Sequence, residues 1–273
     1  MNHPAPAYRA FSARRIGAMI LRYWYLLRSS WPRVLELIYW PLVQMLMWGF
    51  LQSYVDQNAS FFARAGGTFI GAVLLWDILF RGQLGFSVSF LEEMWARNMG
   101  NLMMSPLRPV EFVAALMIMS LVRLVIGMVP VTLVALWFFN FNLYGLGFAL
   151  AAFFANLIFT SWAVGILVSG LILRNGMGAE GMAWTIMFLL LPLACVYYPV
   201  AILPGWLQAV AWLLPPTYVF EGMRALLIEK MFRVDLMLTA MALNAFYFAL
   251  AVLGFLRLLD GARRQGSLVQ AGE

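Results

Sequence analysis

An all-α integral membrane protein with six membrane-crossing helices is the fold this sequence predicts, on three observations. Hydrophobic residues make up 64% of the 273 positions and charged residues 11%, whereas soluble domains are nearer half apolar and a quarter charged. The apolar residues gather into runs of the roughly 20 residues that a helix needs to cross a bilayer. Arginines crowd both ends: Arg9, Arg14, Arg15, Arg22, Arg28 and Arg33 before the first run, and Arg257, Arg263 and Arg264 around the end of the last. Basic residues stay on the cytoplasmic side, so both termini belong there and the number of crossings is even. The expected organisation is a cytoplasmic tail and basic interfacial helix at 1–33, a six-helix membrane domain at 34–259, and a cytoplasmic tail at 260–273.

The elements follow in order. Before the first span, at 100° per residue, Arg14, Arg15, Arg22 and Arg28 share one side of a helix, and Ile16, Met19, Ile20, Tyr23, Leu26 and Leu27 share the other. That is the pattern of a basic amphipathic helix lying in the membrane surface among lipids. A positively charged leader that only fixes orientation is the other reading. It is no cleaved signal peptide, because Arg22 interrupts the apolar stretch and no small-residue cleavage site follows. The first span is expected at Val34–Val55, opened by Ser29, Ser30 and Pro32 as cap and first turn. The next three are expected at Gly67–Leu91, Phe112–Phe139 and Leu143–Leu173, the fifth at Gly181–Tyr198 and the last at Leu236–Leu259. Residues 197–216, YYPVAILPGWLQAVAWLLPP, are apolar but broken by four prolines and a glycine. A seventh span would put one basic terminus outside, so a re-entrant outer hairpin is expected. Such irregular backbone survives at membrane depth only when protein or a wet cavity surrounds it.

Between the second and third spans the chain reads RNMGNLMMSPLRPVEFV, residues 97–113. Pro106 and Pro109 each bar helix at the residue before them, and Glu111 suits the N-terminus of the next helix. Residues 92–110 are therefore expected as a short amphipathic cytoplasmic helix and a two-proline turn. A connector that only reverses the chain needs no methionines and tryptophan. Met adapts its shape and Trp anchors, so docking into a partner's groove is one reading, and resting on lipid headgroups is the other.

Several chemistries are excluded. The only lysine, Lys230, lies between Glu229 and Met231, so there is no P-loop. The only histidine, His3, is outside every apolar segment, and the only cysteine, Cys195, cannot form an intrachain disulfide. The net charge of +6 reads as topology and not as a nucleic-acid footprint. No catalytic, cofactor-binding or metal-binding residue is expected. Asp77 and Arg81 stand one turn apart in the second span, and Arg123 lies at similar depth in the third. A charge at mid-membrane costs about 2.5 kcal/mol or more unless paired, so these residues are expected as one intramembrane cluster. It is either a structural clamp, in which case exchanging Asp77 and Arg81 leaves an active protein, or a polar wall of a path.

MGNLMMSPLRPVEFV, residues 99–113, resembles the cytoplasmic connection of ABC-2 type transporter permeases, with its Gly, apolar residues and Ser-Pro-Leu-Arg-Pro. LLPPTYVFEGMRALL, residues 213–227, is similar to the family's stretch after the broken hairpin, and the order of elements also matches. The resemblance implies that 92–110 is a coupling helix fitting a cleft of a separate ABC ATPase subunit, through Trp95, Arg97, Leu102, Met103, Met104, Leu107 and Arg108. It implies a second permease copy, as a homodimer, or a related permease. ATP and Mg would sit on the ATPase, the location would be the bacterial inner membrane, and the activity would be substrate export, with no reaction catalysed by this chain. The alternative is a stand-alone proton- or ion-coupled secondary transporter using Asp77.

Overall fold

The structure, a computed structural model, describes residues 11–58 and 68–265. Helix α1 (Ala13–Arg28) leads through Ser29 and Ser30 into α2 (Trp31–Asn58). Then follow α3 (Thr68–Trp95), the short α4 (Met99–Met104), α5 (Pro109–Phe139) and α6 (Phe148–Asn175). After these come α7 (Met182–Leu193), α8 (Gly205–Ala211), α9 (Pro215–Arg224) and α10 (Val234–Gln265). The described residues contain no strand. Arg9, and the tail beyond Gln265, lie outside the described residues.

Five helices are long and apolar enough to cross a membrane: Trp31–Val55, Thr68–Trp95, Pro109–Phe139, Phe148–Asn175 and Val234–Ala262. They coincide with the first four expected spans and the last. The fifth expected span is a helix of only 12 residues, α7. At 1.5 Å per residue it is about 18 Å long, well short of a bilayer core of about 30 Å. Pro192 stands in its last turn, and Cys195 then takes a left-handed φ of 53° that turns the chain.

The buried side chains form two large clusters stacked along the bundle. One joins Ile16, Tyr23 and Leu27 of α1 with Phe90, Met94, Leu102, Phe112, Ile172, Ala183, Phe255 and Leu259. The other joins Met45, Leu75, Val131, Phe153, Met187, Ala194, Phe220 and Met237. Helix α1 along its whole length, the α3–α5 connection and the last turns of α6 and α10 therefore meet at one end. The hairpin that contains α8 and α9 belongs to the other. Helix α7 touches the first cluster through Ala183 and the second through Met187.

Between apolar helices in lipid there is no hydrophobic drive, so close backbone approach and polar contacts hold the bundle. A Cβ on Gly85 would sit 3.0 Å from the Ser120 Cα, and one on Gly127 would sit 2.8 Å from the Leu37 carbonyl oxygen. The Ser161 hydroxyl donates to the Leu79 carbonyl at 2.8 Å, tying α6 to α3. The Asn244 amide donates to Asn156 Oδ1 at 3.1 Å, and the Thr160 hydroxyl donates to Asn244 Oδ1 at 2.7 Å. These tie α10 to α6. Helix α3 is the most buried span, whereas α2 and α10 are largely exposed at the rim.

The prolines of residues 197–216 open helices more than they break one. Pro204 precedes α8 and Pro215 is the first residue of α9, where a missing N–H removes nothing. The folded-back segment is pinned by one ion pair. Glu221 accepts the Val200 N–H at 2.7 Å and the Arg224 guanidinium at 3.0 Å, and Arg224 also donates to the Cys195 carbonyl at 2.9 Å.

Candidate functional site

The candidate site is the end of the bundle where α1, α4 and the last turn of α3 come together. Helix α3 stops because Arg97 adopts a left-handed φ of 51°, and the Asn98 amide donates to Glu93 Oε2 at 2.8 Å. After α4, the Ser105 hydroxyl accepts the Leu107 N–H at 3.3 Å. The Arg108 N–H donates to Glu111 Oε2 at 3.0 Å, so the Glu111 side chain caps α5. The connection is thus a fixed bracket. Its apolar residues divide into two sets. Met99, Leu102 and Leu107 are buried in the bundle, while Trp95 is 51% and Met104 81% exposed.

That division alters the sequence reading of the docking set. Leu102 and Leu107 are turned into their own protein, 8% and 9% exposed. Trp95, Arg97 and Met104 face outward, and Arg108 is half-buried. The side chain of Met103 lies outside the described residues. A residue missed in the sequence, Glu180, accepts the Trp95 indole N–H at 2.9 Å. It ties the α6–α7 turn to the end of α3. Nothing in the spacing of residues 85 positions apart signals that contact.

Helix α1 is also held differently from expectation. Its apolar stripe, Ile16, Met19, Tyr23 and Leu27, is buried against the protein and not against lipid. Two of its arginines are committed to carboxylates. Arg15 Nε donates to Glu111 Oε2 at 2.7 Å, and the Ser12 N–H donates to Glu111 Oε1 at 2.8 Å. Arg22 pairs with Glu93, whose side chain is fully buried. The Glu111 carboxylate holds the Arg15 guanidinium above its ordinary pKa, and burial pushes the Tyr23 phenol up as well. Only Arg14 and Arg28 of the four remain exposed. A sequence signal existed: Arg15 and Arg22 are spaced i, i+7, two turns apart on one side, and Glu93 and Glu111 bracket the connection.

The expected intramembrane cluster is split. Asp77 lies 3.5 Å from Arg81 Nε, with side chains 0% and 10% exposed. Neither Asp77 oxygen has a hydrogen bond, and nor does Arg81 Nε. Arg123 does not join them. Its guanidinium turns along α5 and donates to Glu92 at 2.8 Å, and Arg33 of α2 lies 3.5 Å from the same carboxylate. The physical reason is reach: a long basic side chain extends toward the membrane surface when a partner waits there.

These features define a polytopic helical membrane protein with a bracketed surface connection. The described residues contain no group of three His, Cys, Asp or Glu able to hold a metal. The family model of the ABC-2 type transporter matches residues 17–228, and the chain belongs to that family. It is a transmembrane permease component of an ABC transporter. No curated protein matches it.

Proposed function

We propose that this chain is the membrane subunit of an ABC exporter, driven by a separate ATP-hydrolysing subunit that docks on the α3–α5 connection. The observation that carries the reading is the division within 92–110. Leu102 and Leu107 anchor the bracket in the core while Trp95 and Met104 are left exposed. A rigid base with a protruding Met and Trp suits transmission of a push. A connector that only rested on lipid would need no such anchoring. The bracket is further fixed to α1, through Arg22–Glu93 and Arg15–Glu111, and to the α6–α7 turn, through Trp95–Glu180.

In this reading the fifth crossing is made at α7, six crossings put both termini in the cytoplasm, and residues 197–216 are the re-entrant outer element. The membrane is the bacterial inner membrane. ATP and Mg are bound by the partner subunit. A second copy of this chain, or a related permease, completes the path along the exposed rim helices. ATP binding closes the ATPases and rocks the permease halves, and hydrolysis resets them.

Gentle purification through a tag on this chain, with an ATPase assay, tests the proposal. An ATP-hydrolysing protein of separate sequence is expected to copurify and to be lost when Met104 and Trp95 are changed to Asp. If the chain emerges alone and is inert with every candidate ATPase, the proposal fails. The buried Asp77 without a hydrogen bond then makes proton-coupled transport, abolished in Asp77→Asn, the reading to test.

A further inference from the structure

Helix α1 carries a second stripe that neither its packing nor its ion pairs use. Arg14, Ala18, Leu21, Tyr25 and Arg28 are exposed. At 100° per residue they fall within an arc of about 80°. The buried stripe of Ile16, Met19, Tyr23 and Leu27 is centred on the opposite side, and the paired Arg15 and Arg22 lie on a flank. Leu21 is 55% and Tyr25 63% exposed, with Trp24 beside them at 39%. Two cations about 21 Å apart thus bracket an aromatic and aliphatic centre.

The course of α1 shows what this stripe meets. Arg15 is bonded to Glu111 in the first turn of α5, Arg22 to Glu93 in the last turn of α3, and Arg33 lies beside Glu92. Helix α1 therefore runs sideways past the ends of the spanning helices, at one level. Two residues later the chain enters α2, which lies on the rim with Trp31, Leu35, Tyr39 and Trp40 exposed. The exposed stripe of α1 is joined to that exposed helix through Ser29 and Ser30 alone. Aromatic side chains at such a level match the membrane interface, and cations there match anionic headgroups.

We propose that this stripe binds anionic phospholipid headgroups, with Arg14 and Arg28 each taking a phosphate and Leu21, Trp24 and Tyr25 seated among the acyl-chain ends. The proposal rests on the reading that α1 lies at the cytoplasmic membrane surface. It adds a preference for charge that the family assignment does not contain.

The test is native mass spectrometry of the purified full chain titrated with phosphatidylglycerol and, separately, phosphatidylcholine. In Arg14→Gln/Arg28→Gln, phosphatidylglycerol affinity is expected to fall roughly 10- to 30-fold, about the worth of two surface arginines. Phosphatidylcholine binding should hold, and Arg233→Gln should behave as wild type. Unchanged phosphatidylglycerol binding in the double variant overturns the proposal. So does loss of a copurifying ATP-binding protein with lipid binding intact, which would assign the stripe to that partner. Tyr25→Cys separates this inference from the reading beneath it, because the native Cys195 is buried and does not compete. Labelling by an impermeant maleimide in inside-out vesicles but not intact cells supports the cytoplasmic surface. With that pattern and no headgroup preference, the lipid site alone fails. Labelling in intact cells removes the cytoplasmic placement itself.

Discussion

Three carboxylates carry the account at the scale of single residues: Glu93, Glu111 and Asp77. Each is fully buried, and each is answered by an arginine, of one of two kinds. Arg22 and Arg15 come from another helix and so fix where α1 lies. Arg81 comes from the same helix as Asp77 and fixes nothing between helices. The consequences of mutation should differ accordingly. Breaking a buried ion pair by removing one partner costs about 3–5 kcal/mol, whereas replacing both with apolar residues is often neutral. Arg81→Met is therefore expected to lower the thermal unfolding temperature sharply in detergent, and Asp77→Leu/Arg81→Met to recover most of the loss. A double variant that folds with wild-type stability yet no longer transports would show that the pair acts in transport and is no mere clamp. Glu93→Ala should free the centre of α1, read as faster amide hydrogen exchange over residues 16–24. Unaltered exchange there would mean that the apolar stripe alone holds the helix.

At the scale of helices, the long spans were legible because an apolar run of span length has one physical use, and their bounds differ from expectation by a few residues. The short α7 was not, because its sequence is as apolar as a full span. What ends it is the Cys195 turn and the tertiary staple from Glu221 and Arg224. The division of the docking residues was equally hidden. Leu102, Met104 and Leu107 are alike in composition, and only packing against α1 and α5 decides which are inside. Helix contacts make a further prediction. Gly127→Ala places a methyl against the Leu37 carbonyl, a backbone atom that cannot swing aside. Such overpacking costs about 1–3 kcal/mol, so the variant should unfold at lower temperature, while Gly254→Ala, with open space around it, should not. Equal stability of the two would contradict the close α2–α5 approach.

For the whole molecule, the two stacked clusters set a direction. One end gathers α1, the bracket, the α6–α7 turn and the end of α10, and the other carries the folded hairpin. An even number of crossings then predicts opposite labelling of the two ends. Ile202, 68% exposed in the hairpin, should react as Ile202→Cys with an impermeant reagent in intact cells, and Met104→Cys should react only in inside-out vesicles. Reaction of both from the same side would overturn the topology.

In the proposed function, force enters through the bracket between α3 and α5. The most direct measurement is photo-crosslinking in native membranes with a benzophenone amino acid at position 104, compared with position 202. A crosslink from position 104 to a P-loop protein of separate sequence, strengthened or weakened by ATP, is expected, and none from position 202. A crosslink from position 104 to lipid alone, with no nucleotide-dependent protein product, would contradict it.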